Sequence, residues 1–107
     1  MDKKAQEAMS KLQLLEQNMQ QLELQKQQFS AQLMEAENAL KELESKPETY
    51  KIVGNIMVKS DPTAVSADLK DKQERLQLHI SLLDKQEKQI TEKTEKIRKE
   101  VMGSLKE

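Results

Sequence analysis

From Ala5 to Leu43 one set of positions steps forward by alternating gaps of three and four, without a break. The set is Ala5, Ala8, Leu12, Leu15, Met19, Leu22, Lys26, Phe29, Leu33, Ala36, Leu40 and Leu43. Eleven of the twelve are apolar, and Lys26 is the exception. A mean spacing of 3.5 residues keeps one stripe of a helix turned toward a partner helix, which is the seam of a coiled coil. Pro47 stops the pattern, and the residues just before a proline are biased away from helix. Helix 1 is therefore expected over about residues 1–46. A second seam reads Leu69, Gln73, Leu76, Ile80, Leu83, Glu87, Ile90, Thr94, Ile97, Val101 and Ser104. Ser66 or Asp61 can cap its start, and Pro62 suits a first helical turn after Asp61. We place the start at Ser66, with Asp61–Pro62 in the connecting turn, so helix 2 is expected over about residues 66–105.

Composition removes most alternatives to long helices. Only 2% of the 107 residues are aromatic, and 35% are charged. Bulky side chains are too scarce to fill an enzyme-like interior. Two Gly and two Pro argue against long irregular or collagen-like chains. Without Cys there is no disulfide frame, thiol nucleophile or zinc–thiolate set. His79 is the single histidine and lies beside the seam next to Ile80, as a helix-surface residue rather than a ligand or base. Gly54 and Gly103 are too far apart to form a phosphate-cradling loop. Carboxylates are frequent, but a solvated charged face offers no desolvated pocket to tune them. We expect no enzyme, no cofactor and no metal. A net charge of -1, with no basic region ahead of the heptads and no stacking aromatics, leaves no nucleic-acid reader. No apolar run approaches the ~20 residues of a membrane span. Met1-Asp2-Lys3-Lys4 leads into polar sequence, so no secretory leader is expected and the cytoplasm is the expected location.

Between the seams lies Thr49-Tyr-Lys-Ile-Val-Gly-Asn-Ile-Met-Val-Lys-Ser60, the one dense β-branched and aromatic cluster. Gly54–Asn55 at its centre suits a two-residue hairpin turn with Gly at positive φ. Strands Tyr50–Val53 and Ile56–Lys59 then pair. Lys51, Val53, Ile56 and Val58 share one face; Tyr50, Ile52, Met57 and Lys59 share the other. Both faces are largely apolar. A lone hairpin is marginal in water, and this one keeps two unpaired edges. Hairpins from several chains joining into a sheet or a closed, oligomeric β-barrel would remove those edges; the alternative is a hairpin folded back on its own helices. Tyr50, Ile52, Val53, Gly54, Ile56, Met57 and Val58 are the expected oligomerisation residues.

A short connection favours antiparallel neighbours. Folding the chain at the hairpin sets Leu43 against Leu69 and, moving outward, Leu33 against Ile80, Lys26 against Glu87, Leu22 against Ile90 and Leu15 against Ile97. The one charged seam position of each helix thus meets the other, and a one-heptad slip would strand both. Lys26 either helps to set this register with Glu87 or snorkels into water and contributes little. The seam layers at the chain ends hold the small residues Ala5, Ala8 and Ser104, which bury little area. Met1, Met9, Leu12, Val101, Met102 and Leu105 lie close by. An end that opens easily and carries flexible Met side chains suits varied apolar surfaces.

The hairpin Tyr50-Lys51-Ile52-Val53-Gly54-Asn55-Ile56-Met57-Val58-Lys59, set between two coiled-coil arms of similar length, resembles the prefoldins. The single hairpin resembles their β class of the archaeal type, since α-class subunits carry two. The resemblance covers nearly the whole chain and implies a single prefoldin-like domain over 1–107, mainly α: an antiparallel two-helix coiled coil with a β-hairpin between the helices. It further implies an ATP-independent co-chaperone subunit in a hetero-hexamer of two α and four β chains, including further copies of this one. The arm ends would hold non-native polypeptides and pass them to a group II chaperonin. Carried over by position, the client-binding residues are Met1, Ala5, Ala8, Met9, Leu12, Val101, Met102 and Leu105. A structural or adaptor coiled coil that recognises one folded partner is the competing reading.

Overall fold

The computed structural model describes residues 3–106, with side chains described as far as Gly103. The order of elements is helix α1 (Lys3–Leu43), strand β1 (Thr49–Val53), strand β2 (Ile56–Ser60) and helix α2 (Pro62–Lys106). No Gly or Pro interrupts α1, and its Ala, Leu, Gln, Glu and Lys are all strong helix formers. Its end is sharp. The Glu44 N–H donates to the Lys41 carbonyl at 3.2 Å, and the Lys46 N–H donates to the Leu43 carbonyl at 3.0 Å. Lys46 then takes φ 50°, a left-handed conformation that leads the chain into Pro47.

Helix α2 starts four residues earlier than Ser66. Asp61 caps it: the Thr63 N–H donates to Asp61 Oδ1 at 3.4 Å, and the Val65 N–H donates to the Asp61 carbonyl at 3.0 Å. Pro62 takes the first helical position, where its missing N–H has no partner to lose. The expected start at Ser66 is thus corrected; Ser66 lies inside the first turns of the helix.

The strands pair antiparallel with Val53↔Ile56, Ile52↔Met57, Lys51↔Val58, Tyr50↔Lys59 and Thr49↔Ser60 in register. Each strand runs one residue further from the turn than the apolar pattern marks. Gly54 has φ 61°, whereas Asn55 stays at negative φ. Positive φ at the first central position alone is the signature of a type II′ turn, whose twist matches that of the strands.

The chain forms two compact units. One holds Gln28–Ile80 and so contains the hairpin. There Ala36 and Leu76 are buried, Leu33, Leu40, Leu43, Leu69 and Ile80 are half-buried, and the Phe29 ring lies 4.4 Å from that of His79. The other unit joins the residues up to Gln27 with those from Ser81 onward. There Ala5 and Leu83 are buried, and Leu22 and Ile90 line one groove while Leu15 and Ile97 line another. Those pairings are the ones expected of an antiparallel seam. Every described seam position of both helices is buried or half-buried, whereas their neighbours along the chain are mostly exposed. Thr94 is tolerated in the seam because its hydroxyl donates to the Ile90 carbonyl at 2.8 Å.

Candidate assembly and capture surfaces

The hairpin offers apolar side chains on both faces. Val53 and Ile56 lie opposite each other on one, and Ile52 and Met57 on the other. Ile52 is 71% exposed, Ile56 66% and Val58 46%, and Tyr50, Val53 and Met57 are likewise exposed. All six expected oligomerisation side chains thus stay largely exposed in the described chain, three on each face of the hairpin. Water contact with that much branched hydrocarbon is unfavourable in proportion to its area. The base of the hairpin is held instead by polar contacts. Thr49 is buried, and its hydroxyl donates to the Pro47 carbonyl at 2.9 Å. Lys51 Nζ approaches Asp68 Oδ2 of α2 at 3.9 Å, a contact between exposed groups that contributes little.

The expected capture residues divide by position in the seam. Ala5 is buried, while Ala8, Leu12 and Val101 are half-buried. Met9 and Met102 fall off the seam and are exposed. Met1 and the side chain of Leu105 lie outside the described residues. Ala5, Ala8, Ile97 and Val101 line a common groove edged by Lys4, Glu7, Lys11 and Glu100. Ala5 and Ala8 contribute only a methyl group each to its wall.

Lys26 sits between two carboxylates. Its Nζ lies 3.4 Å from Glu87 Oε2 and 2.5 Å from Asp84 Oδ1. The pairing with Glu87 is the one anticipated; Asp84 is the tighter partner and was not. Asp84 follows the seam residue Leu83, where it flanks the seam, and charges at flanking positions commonly pair across coiled coils. The hydrogen bond to Asp84 raises the Lys26 pKa above the ordinary lysine value of 10.5, with the charges of Asp84 and Glu87 adding to it against partial desolvation. Glu87 uses one carboxylate oxygen, and its Oε1 is buried without a hydrogen-bond partner. That orphan oxygen offsets part of what the pair contributes.

Among the described residues no three His, Asp or Glu side chains converge as a metal cage, and no helix is long and apolar enough to cross a membrane. Two heptad helices joined by one two-faced hairpin define a class of coiled-coil subunit with an uncovered β segment. A family model for prefoldin subunits matches residues 6–107 and so spans both units. A prefoldin subunit beta of Pyrobaculum calidifontis is 40% identical over 77% of this chain and 68% of its own. One from Thermococcus kodakarensis is 38% identical over 86% of this chain and 84% of its own. The crystal structure of the prefoldin beta subunit from Thermococcus strain KS-1 superposes with a TM-score of 0.91 at 32% identity, covering 99% of this chain and 96% of that one. This chain belongs to the prefoldin family, and within it to the beta class. The family is one of chaperone subunits, not of enzymes.

Proposed function

We propose that the chain is one subunit of an ATP-independent hetero-oligomeric co-chaperone. Its hairpin joins those of further copies and of an alpha subunit in a shared β-barrel, and two alpha with four beta chains make the hexamer. The single observation that carries this reading is the uncovered two-faced hairpin. A plain spacer or single-partner adaptor has no need of such a segment. The unit that holds both chain ends takes non-native polypeptides through Ala5, Ala8, Met9, Leu12, Val101 and Met102, together with Met1 and Leu105, and yields them to a group II chaperonin in the cytoplasm. Ala5 and Ala8 support the capture role physically, since small seam residues bury little area and let the helices part. Several weak sites on one platform then bind by avidity and release without nucleotide.

The test is deletion of residues 1–10 together with 99–107. The shortened chain should assemble with the same mass by native mass spectrometry yet fail to suppress aggregation of several unrelated denatured proteins. Full protection by the shortened assembly would remove the capture assignment. Protection of no client by the intact assembly would favour an adaptor instead.

A further inference from the structure

A second groove in the unit holding the chain ends differs in chemistry from its neighbours. It is lined by Lys11, Leu14 and Leu15 of α1 and by Lys93, Lys96 and Ile97 of α2. The same spacing builds both walls. Lys11, Leu14 and Leu15 stand at i, i+3 and i+4, and so do Lys93, Lys96 and Ile97, which places each trio on one helix face. Leu15 and Ile97 are half-buried seam residues forming the floor. Leu14 lies off the seam and is 58% exposed, so it widens the floor beyond what the coiled coil uses. The lysine stems add hydrocarbon to the walls and carry their ammonium groups to the rim.

No carboxylate lines this groove. Among the described residues, none of Lys11, Lys93 and Lys96 has a carboxylate oxygen within ion-pair distance, in contrast to Lys26 and Lys51. Lys93 and Lys96 each follow an acid, Glu92 and Glu95, and neither acid lines the groove, while Lys11 also edges the neighbouring groove together with Glu7 and Glu100. Three lysines outside any ion pair among the described residues, set around a hydrocarbon floor, complement an apolar side chain bracketed by negative charge. We propose that this groove is a subsite for acid-flanked apolar segments of non-native polypeptides. The proposal rests on the reading that this unit holds such chains, and adds a sequence preference to it.

The test uses the full chain in its native oligomer and three fluorescent peptides with one Leu-Phe-Leu centre, flanked by Glu, by Gln or by Lys. The Glu-flanked peptide should bind about 10-fold tighter than the Gln-flanked one at low salt. The advantage should vanish near 1 M salt, where the Debye length falls to about 3 Å. The triple variant Lys11→Gln, Lys93→Gln, Lys96→Gln keeps the stems and should abolish the preference while leaving the Gln-flanked peptide unchanged. Leu14→Ser should weaken both peptides. Equal binding of Glu- and Gln-flanked peptides, or a preference that survives in the triple variant, overturns the proposal. Lysine-dependent capture of phosphatidylglycerol vesicles without peptide preference also overturns it and reassigns the groove to anionic amphiphiles. If no peptide binds and denatured clients aggregate unhindered, the capture reading fails along with it. If clients are protected but flank charge is ignored, only the subsite fails.

Discussion

Ile56 and Val58 lie on the same face of β2, and replacing both by Asp tests whether that face is covered by other chains. Ile56 keeps 66% of its surface exposed and Val58 46%. Fully burying a side chain of this kind is worth roughly 1.5–3 kcal/mol. Scaled by the exposure left to remove, the pair contributes about 2–3 kcal/mol per chain on assembly. Loss of that term alone weakens each subunit contact about 30- to 150-fold, at 1.4 kcal/mol per tenfold. Two carboxylates must also be desolvated without partners, at several kcal/mol per ion. At micromolar concentration an assembly that depends on this face should dissociate. Sedimentation velocity reads the result directly, and far-ultraviolet circular dichroism checks the helices. Both sites are exposed in the single chain, so helical content should hold. An unchanged mass for the double variant would refute the claim that the hairpin recruits sister subunits.

Three further substitutions test local claims. Gly54→Ala introduces a Cβ that meets no heavy atom within 4 Å, so its cost is backbone strain at φ 61° alone, about 1–2 kcal/mol. Thermal unfolding of the assembly should show the loss, with Gly54→Asn intermediate; a neutral Gly54→Ala would remove the turn assignment. Asp61→Ala should lower stability by about 1 kcal/mol in urea titration through loss of the cap, whereas Ser66→Ala should have little effect. The reverse order would restore Ser66 as the start of α2. For Lys26, a double-mutant cycle should find coupling to both Asp84 and Glu87, larger for Asp84, whose oxygen lies closer. Its raised pKa means that the folded state holds the proton more tightly than the unfolded chain. The stabilisation is therefore complete below pH 10.5 and declines as pH rises above it. A decline that is identical in Lys26→Met would detach it from this residue.

The heptad seam was legible because its signal repeats. Each layer from Ala5 to Leu43 and from Leu69 to Val101 agrees with the next, so no single residue decides the outcome. The hairpin register was legible for a related reason: Gly54–Asn55 fixes the turn, and Val53↔Ile56 then fixes every pair behind it. What escaped depends on single side chains. Asp61 and Ser66 are comparable caps in isolation. Pro62 breaks the tie, since it fits the first helical position and has no N–H to leave unpaired. Asp84 lies off the seam pattern, which marks only facing points. Lys26 has a four-carbon stem and reaches past the seam to a flanking position. The left-handed Lys46 left no mark, since lysine carries no preference for positive φ.

The distribution of side-chain size along the chain links the two proposed roles. Branched and aromatic residues are concentrated in Tyr50–Val58, where they remain exposed in the single chain. The seam in the unit with the chain ends begins instead with Ala5 and Ala8. At roughly 25 cal/mol per Å², the first group has much apolar area left to bury in the proposed assembly, while the second, being small, buries little. Under the proposed roles, exchanging the two properties would fail on both counts, because a weak hairpin would not gather subunits and a tightly packed end would not open. In the proposed function the chain thus separates permanent burial from reversible burial through where its bulky side chains fall. It follows that Ala5→Leu with Ala8→Leu, which fills the end layers, should raise thermal stability yet reduce protection of denatured clients. Protection that rises along with stability would show that the ends act as a fixed apolar surface rather than by opening.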